Sequence, residues 1–275
     1  MPLNTIAPDK LARLIGTAHS PRVIDIRTAD ERSISGYSLP AATLRDVGNL
    51  SEWGPGFADR EAIIVCTDGK TDSPGAASLL RHHGVDARTL EGGFKAWEAQ
   101  GLSRIDFSKV PRPKSDAPSL WVTRMRPKVD RVACPWLIRR FVDPDAVFLF
   151  VSPTEIPAVA ERFGAAPFDV DGVFWSHRGE TCTFDTMVDE FGLADNEALA
   201  RLAVIVRGAD TGRLDLAPQA AGLLAVSLGL SRVYANDLQQ LEAGLSIYDA
   251  LFRWCRDAVD ETHDWVSHQP KKGSR

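Results

Sequence analysis

Cys66 follows a short apolar run, residues 61–65 (EAIIV), which predicts a buried strand. Ser73 and Pro74 predict the cap and first residue of a helix, so residues 67–73 form a loop between strand and helix. Such a loop points backbone N–H groups at one place, and the helix dipole adds positive potential there. Because the thiolate is the attacking form of cysteine, Cys66 is the predicted nucleophile. The predicted anion-binding loop is Thr67, Asp68, Gly69, Lys70, Thr71, Asp72 and Ser73.

A second group of chemically capable side chains lies in a polar loop of the later sequence. Histidine, thiolate and carboxylate together suit zinc or iron, and His177, Cys182 and Asp185 stand close in the sequence, with Glu180 among them. Asp210, in a glycine-bracketed loop after an apolar run, would complete the set. The alternative is a loop of ordinary hydrogen-bonding side chains without a metal.

Four charged residues of a predicted helix also have two interpretations. They are either an ion-paired helix face or an oxyanion pocket, and they are Asp130, Arg131, Arg139 and Arg140. The remaining cysteines, Cys134 and Cys255, are predicted packing residues because apolar residues surround them at helical spacing. With four cysteines and no CxxC pair, the chain lacks the spacing of a zinc knuckle.

The elements that would position Cys66 alternate between strand and helix. Residues 22–27 and 87–90 predict two further short strands, and residues 4–15, 74–83 and 94–100 predict helices. This alternation predicts an α/β fold with a parallel sheet flanked by helices.

Composition and charge narrow the class of protein. With 275 residues, 44% hydrophobic and 25% charged, the chain is expected to be a globular protein of two domains. The net charge of −5 argues against a nucleic-acid partner, and no apolar run is long enough to cross a membrane. The N-terminus does not have the pattern of a secretory signal, so we expect a cytoplasmic protein.

A proline-rich stretch divides the sequence. Residues 107–118 contain three prolines and little to bury, which predicts a linker between a domain at 1–106 and a domain at 119–265. Residues 266–275 are predicted to be a flexible tail. The second domain mixes predicted strands at 120–125 and 146–151 with predicted helices at 128–142, 220–230 and 239–255, a mixed α/β or α+β pattern. Residues 201–207 combine helix and strand signals.

Three motifs of the first part resemble the rhodanese family. They are residues 23–27 (VIDIR), 63–66 (IIVC) and 90–97 (LEGGFKAW). The resemblance implies transfer of sulfane sulfur through a persulfide on Cys66, with Asp25 and Arg27 organising the end of the sheet, and it requires no cofactor. It implies a small sulfur donor and a thiol acceptor as partners. Asp68 and Asp72 depart from that pattern. Carboxylates beside the loop should weaken the binding of a dianion.

The second part resembles another family, the C-terminal domain of the chromate-resistance protein ChrB. The matching stretches are residues 130–150, 176–185 and 217–222. The two resemblances imply a chromate-stress protein whose sulfurtransferase-like domain supplies thiol chemistry. The alternatives are a non-enzymatic sensor in which both domains bind an oxyanion such as chromate or a metal, and a plain thiosulfate sulfurtransferase whose second domain is structural.

Overall fold

The computed structural model describes residues 4–58, 60–111 and 117–262. Residues 112–116 of the predicted linker and the whole predicted tail, 266–275, lie outside these ranges. Among the residues described, no helix combines the length and the apolar character that a membrane span needs.

The first part is built on a parallel sheet, as predicted. Its five strands are ordered β1-β6-β5-β2-β4, all in parallel, and a separate antiparallel pair joins β3 to β7. The strands are β1 (Thr5–Ile6), β2 (Arg22–Asp25), β3 (Tyr37–Ser38), β4 (Ala42–Leu44), β5 (Ala62–Val65), β6 (Ala87–Leu90) and β7 (Ile105–Asp106).

Helices cover both faces of this sheet because successive residues of the central strands point to opposite sides. Val23 and Ile63 join one apolar cluster, and Ile24 and Ile64 join another. The helices are α1 (Pro8–Leu14), α2 (Ala29–Ser35), α3 (Leu50–Trp53), α4 (Asp72–His82) and α5 (Gly93–Ala99).

In the first part, two helix starts differ from the sequence prediction by more than one residue. The helix predicted from residue 4 begins only at Pro8, because a residue before proline avoids the helical region, and Ala7 is extended at φ −72° and ψ 148°. This frees Thr5 and Ile6 to pair with β6. The second difference is at α4, which begins at Asp72, so Ser73 is not its cap. The Ser73 hydroxyl instead faces the Cys66 sulfur.

The second part combines a small parallel sheet with a group of helices, which confirms the predicted mixed class. Its strands, ordered β10-β8-β9, are β8 (Leu120–Arg124), β9 (Val147–Val151) and β10 (Ala166–Pro167). Its helices are α6 (Asp130–Leu137), α7 (Ile156–Phe163), α8 (Thr183–Glu190), α9 (Glu197–Asp210), α10 (Ala220–Val233) and α11 (Asp237–Asp257).

Helix α9 resolves the mixed signals of residues 201–207. The Asn196 side chain caps its first turn by accepting hydrogen bonds from the amides of Ala198 and Leu199. The apolar residues of the run pack into the core as one helix face. Asp210 is therefore the last residue of a helix rather than part of a glycine-bracketed loop.

The two parts pack directly on each other. One cluster of buried apolar side chains contains residues of α1 and α5 together with residues of α6, α8, α9 and α11. At the contact, the Phe141 ring lies over Gly16, and the Ala41 amide donates to the Phe141 carbonyl at 2.7 Å. The side chains of Arg22 and Asp145 form an ion pair at 3.0 Å.

Candidate functional site

Cys66 lies directly after β5, and its sulfur is held by the loop and by the start of α4. The residue is 3% exposed. Its Sγ is 3.1 Å from Ser73 Oγ and 3.3 Å from the Lys70 carbonyl oxygen. Ser73 is fully buried, so its hydroxyl has a fixed position beside the sulfur. The structure therefore places Cys66 and Ser73 of the predicted loop in direct contact.

The back of this loop rests on the double glycine that begins α5. The Phe94 amide donates to the Cys66 carbonyl at 2.9 Å, and the Lys95 amide donates to the Thr67 carbonyl at 3.0 Å. A side chain on Gly93 would lie 2.4 Å from the Cys66 carbonyl oxygen, and one on Gly69 would lie 2.8 Å from the Gly93 amide nitrogen. Only residues without a Cβ let the two backbones approach this closely.

Asp68 turns its carboxylate into the loop. Its Oδ1 accepts the Lys70 amide at 3.0 Å and lies 4.0 Å from the Cys66 Sγ. One loop amide that would serve a bound anion is thus already paired with a carboxylate. The remaining predicted loop residues, Thr71 and Asp72, are exposed, and Thr71 has a φ of 45°.

Asp25 and Arg27 form a fully buried pair at the end of β2. Arg27 binds Asp25 through Nε and Nη2, with the Nη2–Oδ2 distance at 2.7 Å, and donates a further bond to the Tyr37 carbonyl. The guanidinium also lies 3.7 Å from the centre of the Phe94 ring. Since the Phe94 amide binds the Cys66 carbonyl, this pair supports the loop from behind.

Thr67 links the loop to α2. Its hydroxyl donates to Glu31, which also belongs to a capping box with Thr28 at the start of that helix. These hydrogen bonds lower the pKa of Glu31, with the one from Thr67 contributing most.

A second cluster of ionisable side chains lies in the second part. His177 Nε2 is 3.2 Å from Asp210 Oδ2, 3.5 Å from Asp169 Oδ1 and 3.7 Å from Asp130 Oδ2. One atom each from Asp130, His177 and Asp210 can be chosen so that all lie within 4.8 Å of one another. Of the predicted ligands, the structure brings His177 and Asp210 together.

Asp130, the first residue of α6, is the most deeply buried member of the cluster. Its Oδ2 accepts the amides of Thr183 and Phe184 at the start of α8, at 2.6 and 3.3 Å. Burial raises its pKa well above the usual range, and the nearby carboxylates of Asp210 and Asp169 raise it further. Burial also raises the pKa of Asp210, again with help from Asp169.

The other two predicted ligands have different surroundings. Asp185 forms a two-point ion pair with Arg207, at 2.8 and 2.9 Å, and accepts the Cys182 amide. Cys182 is fully buried at the start of α8, where burial and the Asp130 charge raise its pKa. Glu180 is an exposed partner of Arg213.

Sequence reasoning did not assign Asp130 or Asp169 to the histidine cluster. The sequence groups Asp130 with Arg131, Arg139 and Arg140 on one predicted helix, whereas in the structure Arg131 pairs with Asp169. Arg139 and Arg140 pair with Glu242 and Asp249. Asp130 and Asp210 lie far from His177 in the sequence, so no local spacing gives their convergence. The positive φ of Asp169, 52°, is visible only in the structure.

A cleft of about 490 Å³ lies between the two parts. Four arginines line it, namely Arg22, Arg60, Arg139 and Arg140. Asp145 and Glu242 also line it and pair with Arg22 and Arg139. Arg140 pairs with Asp249. The positive charge of the cleft is therefore largely offset within the protein.

Comparisons with known proteins match each part separately. Residues 7–100 match the rhodanese-like domain family, and residues 121–255 match the family described as ChrB, C-terminal domain. Protein ChrB of Cupriavidus metallidurans is 37% identical over 133 residues, which cover 48% of this chain and 39% of that relative. The chain thus matches well under half the length of that curated relative.

Some solved structures resemble part of this chain. A rhodanese-related protein from Thermoplasma volcanium is 21% identical over 37% of this chain and 97% of its own, with a TM-score of 0.33. A rhodanese-like domain protein from Staphylococcus aureus is 26% identical over 34% and 91%, at 0.32. A thiosulfate sulfurtransferase from Pseudomonas aeruginosa is 23% identical over 38% and 19%, also at 0.32.

Both family resemblances seen in the sequence are confirmed by the two family matches. The chain thus combines a stretch that matches the rhodanese-like domain, residues 7–100, with a stretch that matches the ChrB C-terminal domain, residues 121–255.

Proposed function

We propose that the protein acts in chromate resistance and that its rhodanese-like domain carries sulfane sulfur as a persulfide on Cys66. The observation that carries the sulfur-transfer proposal is the placement of the Cys66 sulfur, at the carboxyl end of a parallel strand and 3.1 Å from the Ser73 hydroxyl. The part in chromate resistance rests on the ChrB C-terminal domain.

The transfer proceeds in two displacements. The Cys66 thiolate attacks the outer sulfur of a donor such as thiosulfate, a new S–S bond forms, and sulfite leaves with the electron pair of the broken S–S bond. A thiol acceptor, or cyanide in the laboratory assay, then takes the terminal sulfur and restores the thiolate. No metal or organic cofactor takes part in these steps.

The surroundings of Cys66 have defined roles in this scheme. The Ser73 hydroxyl can donate a hydrogen bond to the sulfur anion, which stabilises it. Asp25 and Arg27 are positioning residues, since their contacts hold Phe94 and through it the Cys66 carbonyl.

Turnover of thiosulfate and cyanide to thiocyanate tests the proposal. We expect the wild-type protein to form thiocyanate and Cys66→Ser to lose that activity, because serine cannot form a persulfide. Cys255→Ala is the matched control, since Cys255 is a buried packing residue of α11 and its loss should leave turnover unchanged. Equal turnover by Cys66→Ser and the wild type would contradict sulfur transfer at Cys66.

The same variants test the role in chromate resistance. Cells lacking the gene should grow poorly on chromate, and growth should return with the wild-type or Cys255→Ala protein but not with Cys66→Ser. If the deletion leaves chromate tolerance unchanged, the proposed biological role is wrong.

A second candidate function is binding without turnover, in which the Cys66 loop senses an oxyanion or a sulfur donor. Two observations favour it. The Lys70 carbonyl oxygen faces the sulfur at 3.3 Å, and Asp68 occupies the Lys70 amide. Both place negative charge density where an anionic intermediate would form. Saturable binding of thiosulfate by a protein that forms no thiocyanate would support this second function.

A further inference from the structure

The cluster around His177 has the geometry of a metal site. In protein metal sites, nitrogen and oxygen ligands lie about 2.0–2.2 Å from the ion, so neighbouring ligand atoms are about 3.0–3.5 Å apart. The distance of 3.2 Å from His177 Nε2 to Asp210 Oδ2 falls in that range, and 3.7 Å to Asp130 Oδ2 is slightly longer. The three residues come from different segments, the start of α6, the end of α9 and the loop before α8.

Asp130 supplies an independent observation that points to a bound ligand. The side chain is 0% exposed, and its Oδ1 has no hydrogen-bond partner. A buried carboxylate oxygen without a partner is costly, because that oxygen has lost its hydration and gains no hydrogen bond in its place. A bound cation would supply that partner.

The charges around the cluster lead to the same conclusion. Arg124 and Arg131 both contact Asp169 Oδ2, at 3.3 and 3.4 Å. The ion-pair contacts that the structure gives Asp130 and Asp210, within the residues it describes, are with His177. His177 is 41% exposed, which leaves the cluster open to solvent on its side.

We propose that Asp130, His177 and Asp210 bind a divalent first-row transition-metal ion. One imidazole nitrogen with carboxylate oxygens suits manganese, iron or zinc, whereas magnesium and calcium prefer oxygen ligands alone. Asp169 is hydrogen-bonded by Thr183 and paired with the two arginines, so it flanks the site and balances its charge. Three protein ligands leave coordination positions for solvent or substrate.

The test is metal binding by the full chain after removal of bound ions with a chelator. Manganese is added, and the electron paramagnetic resonance signal of the free ion is followed; calorimetry with zinc gives the stoichiometry. We expect one ion per chain. His177→Gln and Asp210→Asn should each weaken binding by at least about 10-fold, because each removes a ligand.

Glu180→Gln is the matched control. It removes an exposed carboxylate of the same loop, which pairs with Arg213 and does not belong to the cluster, so it should bind metal like the wild type. Absence of saturable binding by the wild-type protein would overturn the proposal. Equal affinities of Asp210→Asn and Glu180→Gln would overturn it as well.

Thermal unfolding separates loss of a ligand from loss of the fold. Metal at a hundredfold excess over its Kd should raise the Tm of the wild type and of Glu180→Gln by about 5–10 °C. Metal-free Asp210→Asn should melt no lower than the metal-free wild type, because it relieves carboxylate repulsion, and added metal should leave its Tm unchanged. A wild-type Tm that does not respond to manganese or zinc would contradict the site.

Discussion

At the scale of single residues, the Asp68 carboxylate should weaken the binding of anions by the Cys66 loop. Its carboxylate accepts the Lys70 amide and lies 4.0 Å from the reacting sulfur. The sequence predicted this conflict from an acidic residue two positions after the cysteine. It did not predict the specific contact, because the direction of a loop side chain depends on the turn that the backbone adopts.

Asp68→Asn should therefore increase the rate with thiosulfate. The amide oxygen of asparagine can still accept the Lys70 amide, so the loop is kept while one negative charge beside the sulfur is removed. We expect kcat/KM for thiosulfate to rise about five- to tenfold, as a unit charge at about 4 Å contributes about 1 kcal/mol in water. The thiocyanate assay at low and high salt measures this effect, which should shrink as salt screens the charge.

Asp86→Asn provides the control for net charge. Asp86 is exposed and precedes β6, so it lies at the opposite edge of the sheet from Cys66, which follows the parallel strand β5. If both variants change kcat/KM equally, the local role of Asp68 is refuted.

At the scale of elements, the start of α5 fixes the loop. Gly93, at φ 61°, lies against the Cys66 carbonyl, and the amides that follow it donate to the Cys66 and Thr67 carbonyls. The double glycine was recognisable in the sequence as a family motif. Its physical reason, the close approach of two backbones, required the structure.

Gly93→Ala should destabilise the protein and lower turnover. A Cβ costs about 1–2 kcal/mol at a left-handed backbone position and here also collides with backbone atoms of the loop. Gly101→Ala is the control, because Gly101 has φ 64° but nothing within 4 Å of its Cβ position. Urea denaturation should show a larger loss of unfolding free energy for Gly93→Ala than for Gly101→Ala. Equal losses would show that the collision does not destabilise the protein.

Element boundaries show where sequence patterns fail. The β-branched runs predicted the positions of β2 and β5, since buried parallel strands have a strong signature, and the third predicted strand, residues 87–90, coincides with β6. The strands of two or three residues were not predicted, because such short segments carry no periodicity; they are β1, β3, β4, β7 and β10. Because Gly208 and Gly212 bracket Asp210, the sequence predicts a loop there. In the structure, Gly208 is packed inside α9 and Asp210 is the last residue of that helix.

At the scale of the whole molecule, the two parts of the chain form one packed structure. The face of the first sheet that carries α1 and α5 shares its apolar cluster with the second part. The proline-rich stretch predicts a division of the chain at residues 107–118, and the two family matches, residues 7–100 and 121–255, lie on either side of that stretch. That the halves share a core was beyond the sequence, because contacts such as Gly16 with Phe141 join residues far apart in the chain.

The two candidate sites differ in how far the sequence could identify their residues. Cys66 was identifiable because strand, loop and helix are contiguous in sequence. The cluster of Asp130, His177 and Asp210 was only partly identifiable, because its members come together through the packing of α6, α9 and the loop before α8. A site whose residues lie close together in the chain can be predicted from the sequence. A site whose residues come from distant elements cannot.

We propose that Cys66 carries sulfur, and the mass of the peptide that contains Cys66 is the direct test. The full-length protein is incubated with thiosulfate, free thiols are alkylated, and the digest is analysed by mass spectrometry. The account predicts one additional sulfur atom on the Cys66 peptide, removed by cyanide, with none on the peptides of Cys134 or Cys255. An unmodified Cys66 peptide, or equal modification of all the cysteines, would contradict it.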